Sequence, residues 1–174
     1  MSAATHNLDV QDPEISPEMK AVLQWTTKTQ HSGRTLYDHL LGTYHLLREW
    51  GCDRDVCLAG LFHSIYGTEV FRHPTVHLNN REMITRIIGH KAEYLAYRFC
   101  VTKRPEVFIL AHAGAHRYLA DMKTGLALYV GEKELEQLCR IECANLIEQG
   151  DFRLVPTFQT ILKKPGPLMR RDRV

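Results

Sequence analysis

Residues 31–69 read HSGRTLYDHLLGTYHLLREWGCDRDVCLAGLFHSIYGTE. Leu36, His39, Leu40, Thr43 and Leu47 recur at helical spacing, which predicts a helix from Leu36 to Trp50. Gly51 is its stop, since a glycine just past the last periodic residue accommodates the left-handed turn there. Asp53 is placed to cap a further helix from Arg54 to Tyr66. Along that helix Val56, Ala59, Gly60 and His63 share a face, and the two small residues permit a close neighbour. The stretch therefore predicts two packed helices carrying His39 and His63 toward one another. Two imidazoles on neighbouring helices are the skeleton of a metal site in an all-α protein.

The flanking sequence extends the helical pattern. Ser16-Pro17 opens a helix with Met19, Val22, Leu23 and Thr26 inward. Gly67 to Asn79 reads as an irregular loop. Asn79 and Glu82 have capping-box spacing ahead of Met83, Ile84, Ile87 and Ile88. Further helices are predicted over Lys91–Cys100, from Pro105 onward with His112 and His116 four apart, and over Glu132–Gln149. Residues 121–131 form a break, and a short helix follows Pro156. No segment alternates convincingly as a strand. The expected fold is an all-α, multi-helix bundle over residues 16–150. A flexible N-terminus is expected over residues 1–15. A C-terminal extension over 151–174 ends in a basic tail with Lys163, Lys164, Arg170, Arg171 and Arg173.

Composition narrows the function classes. A net charge of +2 over 174 residues gives no field that would recruit nucleic acid, so no nucleic-acid partner is expected. No run is long and apolar enough for a membrane span, and residues 1–16 lack the apolar core of a signal peptide. Five cysteines without a Cys-x-x-Cys pair fit small apolar residues in a reduced, cytoplasmic setting. There is no nucleotide cofactor motif, neither G-x-x-x-x-G-K-[ST] nor G-x-G-x-x-G. There is no G-x-S-x-G elbow. Ser64 adjoins His63 but diverges from it by about 100° on a helix, so the two are not a local dyad.

The motifs resemble a known family. Ser32-Gly33 followed by His39 resembles the S-G-x5-H of the Rel/Spo-type guanosine tetraphosphate hydrolases, in the HD-domain superfamily. Ala59-Gly60-Leu61-Phe62-His63-Ser64 resembles their A-A-L-L-H-D. Ile88-Gly89 with Ala92, then Val101-Thr102, is similar to F-G-x-x-V-A…V-T, and Ile141–Leu146 to V-K-L-A-D-R. The resemblance spans roughly residues 20–148. It implies an HD-like bundle and a metal site at His39, His63 and, at the position of a distant Asp, Asn145. Ser64 replaces the paired Asp, and Gly67 and Thr68 fall where the family has a Glu-Asp pair.

The expected site is accordingly a diverged one. Tyr66, Glu69 and Glu142 are candidate catalytic groups, and Arg34 and Ser64 candidate substrate contacts. His112 and His116 are candidate additional ligands. The implied cofactor is a divalent metal: manganese, iron or zinc. Three functions stay open at this point. The first is a metal-dependent hydrolase of a small phosphorylated or nucleotide-like substrate. The second is an HD-type iron oxygenase with a His-rich site. The third is a non-catalytic small-molecule-binding protein that has lost its metal. Apolar residues over Met83–Phe99 permit a homodimer.

Overall fold

A computed structural model describes residues 12–31, 33–69, 71–114 and 117–162. It is a helical bundle of eight α-helices with two short antiparallel hairpins among these residues. Helix α1 (Pro17–Gln24) starts as expected, with the Ser16 hydroxyl accepting from the Met19 N–H at 3.3 Å. A hairpin of β1 (Gln30–His31) and β2 (Arg34–Thr35) feeds directly into α2 (Leu36–Glu49). Thr35 and Asp38 form a reciprocal capping box at that entry, which orders the start of the helix bearing His39. The inner face of α2 is the predicted one, with Tyr37 and Tyr44 added.

Helix α3 (Arg54–Leu61) is buried from Val56 to Leu61 and sits at the centre of the bundle. It ends five residues before the expected Tyr66. Beyond the helix the backbone bonds tighten to i→i−3, from His63 N–H to Gly60 and from Ile65 N–H to Phe62, and the Ile65 carbonyl accepts from the Thr75 and Val76 N–H groups at 2.8 and 2.9 Å. Gly67 turns the chain at φ +75°, where a Cβ would stand 3.1 Å from the Phe71 carbonyl oxygen. His63 therefore lies in a turn two residues beyond α3 rather than on it.

A 3₁₀ turn over Leu78–Asn80 precedes α4 (Arg81–Ile88), and the expected Asn79–Glu82 capping box does not form. His77 instead caps that turn through the Asn79 N–H, and Glu82 pairs with Arg86 on the surface. Helices α5 (His90–Val101) and α6 (Glu106–His112) follow. Helix α6 stops at His112, and the chain reverses at Gly114 with φ +79°. Of the two expected ligands His112 and His116, only His112 is placed, at the end of α6. His116 itself lies outside the described residues.

The expected break after α6 contains a second hairpin, β3 (Tyr118–Ala120) with β4 (Ala127–Tyr129). Helix α7 (Glu132–Gln149) has the predicted bounds and lies against α2, α3, α5, α6 and α8. Helix α8 (Val155–Leu162) packs Val155 and Phe158 into the same core, so the bundle continues to Leu162. The basic tail lies outside the described residues, as do residues 1–11. No helix among the described residues is long and apolar enough to cross a membrane.

Gly60 fixes how near α3 comes to α2. A Cβ built there would stand 2.2 Å from Leu47 Cδ1, and Leu47 is fully buried. We predict that Gly60→Ala destabilises the fold by about 1–3 kcal/mol through overpacking. Urea unfolding should also show the Gly60→Ala/Leu47→Ala double variant costing less than the two single changes summed, because the smaller side chain vacates the clash.

Candidate functional site

His39 enters the core from the first turn of α2, directly after the capping-box residue Asp38. His63 enters from the turn after α3. Both rings are buried, at 1% and 0% exposure, and their Nε2 atoms stand 3.0 Å apart. The rings meet edge to face, and Phe99 of α5 lies against the far side of His63 with centroids 5.1 Å apart.

The other ring nitrogens decide what lies between the two imidazoles. His63 Nδ1 is 2.6 Å from the Gly60 carbonyl oxygen, which can only accept, so Nδ1 carries a proton. His39 Nδ1 meets the Glu148 carboxylate on α7. With Nδ1–H donated on both rings, each Nε2 turns toward the other as an acceptor. Two acceptors at this distance require a cation between them. That cation is either a proton, making one ring an imidazolium, or a metal ion. Two nitrogen ligands about 2.1 Å from one ion are about 3.0 Å apart at a right angle and about 3.4 Å apart at the tetrahedral angle, so the pair as it stands has the spacing of a proton-bridged contact and would open slightly around a tetrahedral ion. Carboxylate and carbonyl partners on Nδ1 are also the usual outer supports of metal-bound histidines.

Glu148 is itself buried, with a side chain 4% exposed. Arg34 reaches it from β2, with Nη1 2.7 Å from Oε1 and Nη2 donating to its main-chain carbonyl at 2.7 Å. Arg34 thus joins the cluster through Glu148. On the other side of the histidines, Arg104 lies 4.0 Å over the Phe99 ring and donates to Glu142 at 3.0 Å. Burial pushes the Glu142 carboxyl above its ordinary range, against the pull of Arg104 and the Asn145 amide. Asn145 is buried next to it on α7, and its Oδ1 accepts from Gln149 at 3.0 Å.

The remaining candidates are engaged elsewhere. Ser64 is buried beside His63. The Tyr66 hydroxyl donates to Glu93 at 2.9 Å, and Glu93 is held by two bonds from Arg81. Arg81 in turn covers the Tyr97 ring, whose hydroxyl donates to Asp121 at 2.6 Å. Tyr66 therefore belongs to a chain of polar contacts joining α4, α5 and the β3–β4 hairpin. Glu69 is partly exposed, 3.7 Å from the Lys103 ammonium. His112 is exposed at the end of α6. Cys100 donates its thiol to the His63 carbonyl at 2.9 Å, and burial pushes that thiol up to about 12, so it is an inert support.

The sequence reading missed Glu148, although it lies three residues after Asn145 and shares its side of α7. That spacing is the signal that could have found it. It also missed Arg104, because nothing local marks an arginine that turns inward.

The fold and site define a helical bundle built around a buried histidine pair. Residues 23–104 match the family model DUF6817, a domain of unknown function. The matched span includes both histidines and ends before α7, so Glu148 lies outside it. No curated protein matches the chain, and no solved structure does.

The Asp121 end of the polar chain yields a pH prediction. Burial raises its pKa, but hydrogen bonds from Tyr97 and from the Lys123 and Thr124 N–H groups outweigh burial and leave it below its ordinary value. A carboxyl with a depressed folded pKa contributes stability that is present above its unfolded value, near 3.8, and is lost as pH falls through the folded one. We predict that Asp121→Asn loses about 1–3 kcal/mol at neutral pH. The gap to the unsubstituted protein should close below about pH 4, as read by urea unfolding across a pH series.

Proposed function

We propose that the chain is a diverged HD-type metal-dependent hydrolase acting on a small phosphorylated or nucleotide-like substrate. The observation that carries this reading is the pair of facing Nε2 atoms, each ring having given its Nδ1–H to an acceptor. The resemblance of residues 20–148 to the Rel/Spo-type hydrolases supports the same pocket. His39 and His63 would hold the metal, and Asn145, at the position matching the family's distant Asp and one helical turn before Glu148 on α7, would offer a neutral oxygen. A metal bound there would polarise a substrate oxygen and lower the pKa of a coordinated water.

The chain's own residues set the character of such a centre. Two imidazoles with few carboxylates favour iron or zinc over manganese or magnesium. Arg34, paired with Glu148 but 45% exposed at its side chain, is the cation of the cluster that an anionic substrate would meet from solvent. Tyr66 is committed to Glu93, Glu69 to Lys103 and Glu142 to Arg104, so none of the three is assigned as the base. Neither His112 nor any other described histidine adds to the pair, and no observation favours the oxygenase over the hydrolase.

Elemental analysis of protein purified without chelator tests the reading. We predict near-stoichiometric metal, lost in His39→Ala and in His63→Ala. Saturating metal should raise the stability of the unsubstituted protein by about 2.7 kcal/mol at a hundredfold excess over Kd, seen as a higher melting temperature. Phosphoesters supplied with iron, zinc or manganese should then be turned over. A chain that takes up none of the three metals sinks the proposal and leaves a proton as the bridging cation.

A further inference from the structure

We propose that Glu148 is the positioning carboxylate of the His39–His63 pair, anchored by Arg34 and admitted to the core by the missing side chain of Gly42. The positioning role rests on the metal-centre reading only for what the positioned ring binds.

Three observations converge on Glu148. The first is its partner, since its Oε2 meets His39 Nδ1 and its Oε1 stands 2.7 Å from Arg34 Nη1. A carboxylate this deeply buried is costly without charged or hydrogen-bonding partners, and here both oxygens have one. The second is its anchoring. Arg34 holds the Glu148 main-chain carbonyl as well as its side chain, and that carbonyl lies in the last turn of α7, where helix carbonyls lack an intrahelical donor. The cation also complements the negative end of the helix. The third is the space it occupies. A Cβ at Gly42 would stand 2.7 Å from both Cγ and Oε1 of Glu148, and 3.0 Å from Cδ. Gly42 is inside α2, where glycine costs about 1 kcal/mol relative to alanine. The glycine leaves room for this carboxylate one helical turn beyond His39.

The consequence concerns charge placement. Ser64 and Asn145 put no carboxylate at the ring nitrogens that face each other. Glu148 supplies one negative charge behind His39, acting through the imidazole. In that position it fixes His39 with its proton on Nδ1, holds the ring plane, and makes Nε2 more basic toward any cation bound there. Glu148 is thus a positioning residue and touches no reacting atom.

The test separates this role from mere packing. Ring-nitrogen NMR of the metal-free protein should show His39 and His63 each protonated at Nδ1. Glu148→Met removes the acceptor at similar volume and should release His39 into a mixture of protonation sites, with His63 unchanged. Glu148→Gln keeps an acceptor and should retain the Nδ1–H of His39. Zinc titration by calorimetry should show affinity weakened about 10–100-fold in Glu148→Met and less in Glu148→Gln. If Glu148→Met does not fold, Gly42→Ala carries the same two readouts, because it displaces the carboxylate while leaving it in the chain. An unchanged His39 signal overturns the proposal, and so does unchanged zinc affinity in a protein that binds zinc. If the unsubstituted protein takes up neither zinc, iron nor manganese, the metal-centre reading falls, and the ring-nitrogen signal alone decides the positioning role.

Discussion

The distance of α2 from its two neighbours is set where side chains are missing, and the histidine pair depends on that distance. Gly60 on α3 receives Leu47 of α2, and Gly42 on α2 receives Glu148 of α7. Were either helix pushed outward by a methyl group, His39 would lose its alignment with His63 or its carboxylate. Interiors are close-packed and respond to such a change by moving neighbouring side chains rather than by absorbing it. The apolar core around these contacts does the larger part of the stabilising, with Leu36, Leu40, Leu58, Phe62 and Phe99 fully buried. The glycines determine where that core puts its polar contents.

Those contents are paired cations and carboxylates: Arg34 with Glu148, Arg81 with Glu93, Arg104 with Glu142. A buried ion pair adds little net stability compared with an apolar pair of the same shape, because desolvation offsets the attraction. Its structural effect is directional. Each of these carboxylates also meets a further polar side chain, and two of the contacts lead outward from the histidines to different elements. Glu93 connects the loop after α3 to α4 and α5 through Tyr66 and Arg81. Glu148 connects the β1–β2 hairpin and α2 to the end of α7.

The sequence made the helices legible where hydrophobic period and caps agreed. Ser16-Pro17, Gly51, Gly89 and Gly150 each mark an end that the structure places within a residue or two. It was less informative where tertiary contacts decide. The turn after α3 is tied to a loop ten residues on, whose N–H groups donate to the Ile65 carbonyl, and no local pattern encodes that. The hairpin of β3 and β4 is too short for alternation to register. In the site, the sequence pattern brought His39 and His63 toward one another, although His63 reaches the pair from the turn after α3 and not from its helical stripe. The pattern did not reveal the partner of His39, since Glu148 lies 109 residues away and its role depends on a glycine on another helix. His112 is the last residue of α6, and its expected companion His116 lies outside the described residues.

Burial sets a condition on any chemistry at the pair. His39 and His63 are almost entirely inaccessible, and Phe99, Glu148 and the turn after α3 surround them. Low local polarity makes a bare cation at the pair costly to desolvate, and the Glu148 carboxylate behind His39 is the negative charge that offsets this cost. The same enclosure keeps a substrate from touching the rings as they stand, so reaction requires a covering element to move. Within the described cluster, Arg34 is the member that reaches solvent, at 45% side-chain exposure, and it sits on the hairpin that leads into α2. The contact that anchors Glu148 is therefore also the one nearest the surface. Arg34 thus joins the hairpin to His39 through the Glu148 carboxylate.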